Sequence, residues 1–91
     1  MPLHYRREWN ESRGDEYADW GTSIWYFEVD DAGNVLRQIE VYQIGRILRY
    51  DQQHLVDAFG MLADQALDPD EFAGYVVPVA EFEAAWNREN T

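Results

Sequence analysis

Stretches of the first fifty residues repeat with the period of two that marks strands, and beyond Tyr50 that period is abandoned. Leu3, Tyr5 and Trp9 fall on one side and His4, Arg6 and Glu8 on the other, which predicts a strand over Leu3–Trp9. Residues 10–21 are polar and contain glycine, and they read as a loop interrupted by Tyr17 and Trp20. Residues 22–30 carry Ile24, Trp25, Tyr26, Phe27 and Val29, types that suit a pleated, half-buried surface. Asp31-Ala32-Gly33 then reads as a three-residue hairpin loop, with Gly33 supplying the left-handed conformation. That loop sets Val29 against Val35, Phe27 against Arg37, Trp25 against Ile39 and Ser23 against Val41. Apolar side chains then share one face, and Tyr26, Glu28, Gln38 and Glu40 share the other. A four-residue loop would instead place Phe27 against Gln38 and Trp25 against Glu40, and the side-chain period favours the first register. Gln43-Ile44-Gly45 repeats the device, bringing Val41 to Ile47 and Tyr42 to Arg46. Strands over 22–30, 34–42 and 46–50 make an antiparallel meander, and the strand over Leu3–Trp9 joins its edge.

Past Tyr50 the spacing of Leu55, Phe59, Leu62 and Ala66 marks one helical face over 52–66, with Asp51 as its cap. Gly60 weakens that helix by about 1 kcal/mol relative to alanine. Asp68-Pro69-Asp70-Glu71 is a helix start, with Asp at the N-cap, Pro at the first helical position and a carboxylate at the third. Gly74 ends that turn, Tyr75-Val76-Val77 forms a short strand, and Pro78 opens a last helix. Phe82, Ala85 and Trp86 share a face of that helix, with Glu81 and Glu83 outward. The expected fold is α+β, an antiparallel four-stranded meander sheet packed against helices on one side, including a C-terminal helix, in a single domain over 1–91.

Charge changes this picture. The net charge is −11 over 91 residues, and residues 1–50 hold nine acids and six arginines while 51–91 hold nine acids and only Arg88. From position 50 to 87 there are eight carboxylates and no lysine or arginine. A field of one sign attracts basic surfaces and repels nucleic acid and anionic membrane. Helix-start chemistry accounts for Asp68, Asp70 and Glu71, and for Asp51 if it caps, at roughly 0.3–1 kcal/mol each. Asp57, Asp64, Glu81 and Glu83 remain as acids with no local structural reason. There is no cysteine, no apolar leader and no run of eighteen apolar residues, so a cytoplasmic protein is expected.

Catalytic chemistry finds little to stand on. Ser12 and Ser23 lack a G-x-S-x-G context, and lysine and cysteine nucleophiles are absent. Asp64, Asp68 and Asp70 occupy positions 1, 5 and 7 of a calcium loop, but Pro69 stands at the sixth and Tyr75 at the twelfth. His4 and His54 lie in separate elements without ligand spacing. No catalytic residue, metal or cofactor is expected. Tyr17 and Trp20, beside Asp15, Glu16 and Asp19, read as exposed aromatics suited to an arginine-rich surface. Tyr26 and Tyr42 read as neighbours on the face away from the aliphatic residues, covered by a helix or exposed as an interface patch.

Three segments, Trp25-Tyr26-Phe27-Glu28-Val29-Asp30, Arg37-Gln38-Ile39-Glu40-Val41-Tyr42 followed by Gly45-Arg46, and Glu81-Phe82-Glu83-Ala84-Ala85-Trp86, cover about a quarter of the chain. Through them it resembles a family of small acidic bacterial domains of unknown function. The resemblance implies a sheet with a terminal helix and carries over no reaction. Pro78 departs from it, standing where a Ser-like helix cap is expected. In size and charge such proteins are similar to immunity proteins that neutralise toxins.

The expected function is therefore a stoichiometric inhibitor or immunity protein that binds a basic protein partner such as a toxin nuclease. Its partner-binding residues are expected to be Tyr17, Asp19, Trp20, Asp57, Asp64, Asp70 and Glu71. The alternatives are a nucleic-acid mimic that blocks a DNA-binding or defence protein, and a small-ligand-binding or enzyme module.

Overall fold

Alternation in the first half of the chain becomes a four-stranded sheet: β1 (Leu3–Trp9), β2 (Ser23–Val29), β3 (Val35–Tyr42) and β4 (Ile47–Tyr50). The strands lie in sequence order, every pair antiparallel, as the meander requires. Two short helices follow, α1 (Pro69–Phe72) and α2 (Val79–Trp86), and 3-10 turns occupy Ala18–Trp20 and Ala73–Tyr75. The class is α+β. The computed structural model describes residues 2–88; Met1 and 89–91, which the expected 1–91 unit includes, lie outside the described residues.

Both hairpin loops are three residues long. At the first, Gly33 N–H donates to Asp30 O and Asp30 N–H to Asn34 O, each at 3.0 Å. At the second, Tyr42 N–H donates to Arg46 O at 2.8 Å, and Val41 faces Ile47. Gly33 and Gly45 sit at φ +87° and +97°, the left-handed region that costs an L side chain energy.

The β2–β3 register departs from the expected one. Val29 does face Val35, but the next pair is Glu28 with Arg37, so Leu36 is an unpaired extra residue, a β-bulge. Beyond it Phe27 faces Gln38, Trp25 faces Glu40 and Ser23 faces Tyr42. The expected loop length was right and the register was not, because a bulge shifts pairing within the strand. One face then carries the rows Tyr5–Phe27–Gln38–Tyr50 and Arg7–Trp25–Glu40–Leu48. The other carries His4–Glu28–Arg37, Arg6–Tyr26–Ile39–Arg49 and Glu8–Ile24–Val41–Ile47. Gln38 and Glu40 therefore do not share a face with Tyr26 and Glu28, and Tyr26 and Tyr42 lie on opposite faces.

Each face has its own cover, so the helices are not on one side. The face carrying Phe27 packs Tyr5, Val29, Val35, Tyr42, Leu48 and Tyr50 against Leu62 and Phe72. The face carrying Ile39 packs Val41 and Ile47 against Phe82 and Ala85 of α2. On the latter, Arg37 makes a bidentate pair with Glu28 (Nε–Oε1 2.9 Å, Nη2–Oε2 2.7 Å), also pairs with Glu83, and lies over the rings of Phe82 and Trp86. His4 Nε2 contacts Glu28 at 2.9 Å, and Arg49 Nε donates to Trp86 O at 2.6 Å. These contacts, with Phe82 fully buried, fix α2 to the sheet.

Residues 51–68 form no helix, contrary to the periodicity of Leu55, Phe59, Leu62 and Ala66. Asp51 and His54 close a tight turn, and Val56 and Met61 form an isolated bridge. Asp51 Oδ1 accepts Gln53 N–H at 2.9 Å inside that turn and caps no helix. Asp57 Oδ1 accepts from Phe59 N (2.8 Å), Gly60 N (3.0 Å) and the Tyr50 hydroxyl (2.9 Å). A carboxylate that captures nearby backbone N–H groups offers the chain an alternative to the helix ladder. Asp68 does cap α1, accepting Asp70 N–H at 2.9 Å, with Pro69 behind it. The short strand after α1 shrinks to a bridge between Val76 and Tyr5, with Val77 N–H donating to His4 O at 2.8 Å and covering the outer edge of β1.

Two substitutions test this framework. A Cβ on Gly33 would stand 2.7 Å from Leu67 O, in a conformation that already penalises alanine. Gly33→Ala should destabilise by about 2 kcal/mol or more, read as a lower urea midpoint at unchanged slope; a midpoint equal to the parent's contradicts the turn geometry. Arg37→Ala leaves Glu28, whose side chain is 14% exposed, facing only His4. It should cost about 2–3 kcal/mol by the same measurement, and a loss below about 0.5 kcal/mol would show that the pair contributes no more than a surface one.

Candidate functional site

The bulge places Gln38, Glu40 and Tyr42 under the irregular segment rather than under α2. Gln38 is 1% exposed and ties that segment down: its Oε1 accepts Ala63 N–H at 2.9 Å and its Nε2 donates to Met61 O at 3.3 Å. The same Nε2 donates to Glu40 Oε2 at 2.8 Å, and the Tyr42 hydroxyl donates to Glu40 Oε1 at 2.6 Å. Glu40 is 3% exposed. Above this row lies an open cleft of about 590 Å³, floored by Ser23, Trp25, Gln38, Glu40 and Tyr42 and rimmed by Trp9, residues 11–15 and 59–61, and Ala63.

Arg13 closes one side. Its guanidinium donates to Asp15 (Nε–Oδ2 3.0 Å, Nη2–Oδ2 2.8 Å) and to Phe59 O at 2.6 Å, and it lies 5.1 Å from the Tyr17 ring and 5.4 Å from the Trp20 ring. Tyr17, Trp20, Tyr42 and Phe59 form a continuous ring cluster with centroid separations of 4.9–5.3 Å. Arg46 covers that cluster, 5.1 Å from Trp20 and 4.5 Å from Phe59.

Burial pushes the Glu40 carboxyl above the ordinary glutamate range, against hydrogen bonds from Tyr42 and Gln38 and the field of Arg13. Burial and the Glu40 hydrogen bond likewise raise the Tyr42 hydroxyl. The Arg37 hydrogen bonds hold Glu28 low, and the Asn34 N–H holds Asp30 low. At Asp57 burial pushes upward, but the donors from Phe59, Tyr50, Gly60 and His54 together outweigh it and lower the carboxyl.

The seven expected partner residues fall in different places. Tyr17 and Trp20 are half-buried in the ring cluster rather than exposed, while Asp19 is exposed beside them. Asp57 is bound into its turn. Glu71 and Asp70 stand on α1, with Glu71 paired to Arg7 at 3.1 Å. Asp64 is exposed and lines a second cleft of about 620 Å³ with Leu36, Leu55, Val56, Met61 and Asp30. Asp57 and Glu83, which read as acids without structural reason, have one each: the 57–60 turn and the Arg37 pair. Tyr17 and Trp20 meet Phe59, two residues from Asp57.

The cleft over Glu40 was not anticipated. Arg13 has no signal in the alternation, since it lies in a loop. Gln38 and Glu40 did have one: in the rejected register they face Phe27 and Trp25, which puts two polar side chains into an aromatic row. No family model, no curated protein and no solved structure matches the chain. Among the described residues no helix is long and apolar enough to cross a membrane.

The shifts set a pH profile. Glu40 titrates higher when folded than when unfolded, so stability declines as pH rises from the ordinary glutamate value, about 4.3, through the raised native one. Glu28, Asp30 and Asp57 titrate lower when folded, so their contribution is complete above the ordinary carboxylate range and is lost as pH falls through their native values. Urea titrations at stepped pH should show an acid limb below about 4 in both parent and Glu40→Gln, and a decline above about 4.3 in the parent alone. Parallel profiles above that value would contradict the burial of a titrating Glu40.

Proposed function

We propose that this chain is a stoichiometric binding module for a basic protein, with a toxin nuclease held by its immunity protein as the concrete case. The reading rests on the surface around the 55–62 turn. Leu55, Val56 and Met61 are 52%, 65% and 51% exposed, beside Asp64. An apolar patch with a charged rim is the usual form of a protein interface. The distribution of cations supports the same reading. Arg6 and Arg7 pair with Glu8 and Glu71, Arg13 with Asp15, and Arg37 with Glu28 and Glu83; Arg49 serves a carbonyl and Arg46 lies over rings. Four of the seven arginines are thus held in ion pairs, Arg46 and Arg88 are exposed, and Glu11, Asp19, Asp64, Asp70 and Glu81 face solvent as well. A nuclease that binds phosphate presents a basic surface, and an acidic ligand is steered to it at high rate.

Isothermal titration against the product of the adjacent gene tests the reading. The expected result is nanomolar binding that weakens steeply with salt and falls by about a hundredfold or more in Val56→Arg. Absence of binding at low salt removes the proposal, and undiminished binding by Val56→Arg moves the interface away from the 55–62 turn.

A further inference from the structure

We propose that the cleft over Glu40 binds a small organic cation, an ammonium group carried on a single flat ring. This site shares Met61 and Ala63 with the 55–62 surface, but it takes a small ligand and does not depend on the partner-binding reading.

Three observations converge. The first is the floor. Glu40 lies in the middle of β3 with two donors, the Tyr42 hydroxyl and Gln38 Nε2, on a group that offers about four acceptor positions. Among the described residues no cation stands within ion-pair distance of it. Buried carboxylates are ordinarily paired, and an apolar residue at such a place often gives a more stable fold. The second is charge. Glu11, Asp15 and Glu40 line the cleft against Arg13 alone, and the Arg13 guanidinium is committed to Asp15, to Phe59 O and to the Tyr42 hydroxyl, which in turn donates to Glu40. The third is the wall. Trp25, paired across the sheet with Glu40, also borders an apolar slot of about 160 Å³ with Trp9, Phe27, Phe72 and Arg7, whose guanidinium lies 5.8 Å from the Trp9 ring and 5.2 Å from the Phe72 ring and is paired with Glu71. An apolar cavity of about 150 Å³ accommodates one benzene ring. The only N–H of the Trp25 ring is bound to Ser23 Oγ at 2.8 Å, so the ring presents an apolar surface to both spaces. Trp9 stands 48% exposed at the mouth. A ring in the slot and an ammonium over Glu40 meet an aromatic wall and a carboxylate together, the combination that recognises organic cations.

The test is an NMR titration of the full chain with 2-phenylethylamine and with its neutral counterpart 2-phenylethanol, followed at the indole N–H signals of Trp9 and Trp25. The ammonium should bind saturably and at least about tenfold more tightly than the alcohol. Glu40→Gln should abolish that preference while leaving the alcohol's affinity within about twofold. Trp9→Ala, at an exposed position that leaves the core intact, should weaken both ligands. The proposal is overturned by the absence of saturable shifts up to about 10 mM amine, by equal affinity for amine and alcohol, or by a preference that survives in folded Glu40→Gln. If Glu40→Gln fails to fold, the amine-to-alcohol ratio in the parent together with the effect of Trp9→Ala decides.

Discussion

The unpaired Leu36 in β3 governs which side of the sheet meets which part of the chain. A strand alternates faces with strict period two, so one extra residue inverts every side chain beyond it relative to its partner strand. Because of that residue Ile39 and Val41 point toward α2, and Gln38, Glu40 and Tyr42 point toward residues 51–68. Without the inversion, Ile39 and Val41 would share a face with Trp25 and Phe27, and the two polar side chains would lie under α2 with no backbone to hold. The two-sided core follows from this one irregularity.

The segment opposite α2 then stays in place by side-chain chemistry rather than by regular structure. Buried backbone groups need partners, and here most come from outside a helix or ladder. Asp57 serves Phe59 and Gly60, Gln38 serves Met61 and Ala63, and Gly33 O accepts Leu67 N–H at 2.9 Å. Tyr50, fully buried in β4, donates to Asp57 and so ties the turn to the sheet. Gln38 joins the same network to Glu40, so the support of the 61–63 stretch and the charge under the cleft are physically one system. That coupling is why the acid at position 40 bears on both stability and ligand chemistry.

Electrostatically the fold separates its charges. Several arginines are drawn inward, where a planar guanidinium can pair with a carboxylate and lie over a ring at once, as Arg37 and Arg13 do, while Arg46 and Arg88 stay exposed. The surplus carboxylates are left at the surface. The 55–62 turn adds exposed apolar side chains to this acidic exterior, and the Glu40 cleft adds a buried acceptor. The two adjoin at Met61 and Ala63, which line both.

Much of the scaffold was legible along the chain, because local chemistry decides it. Period-two alternation with β-branched and aromatic residues marked β1 to β4; Gly33 and Gly45 marked both turns; Asp68-Pro69 marked α1; and Phe82, Ala85 and Trp86 marked the buried face of α2. The fate of 51–68 was not legible. Its apolar spacing fits a helix, and only the positions of Tyr50 and Gln38 in space make the alternative hydrogen bonds better. The β2–β3 register was equally hidden, since a bulge trades local regularity for burial on both faces, a gain that exists only once α2 and the 51–68 segment are in place. Charge was countable from the sequence, but its spending was not. Long-range pairs such as Arg37 with Glu83 and Arg7 with Glu71 join residues 46 and 64 positions apart, and proximity of that kind is a property of the folded chain alone.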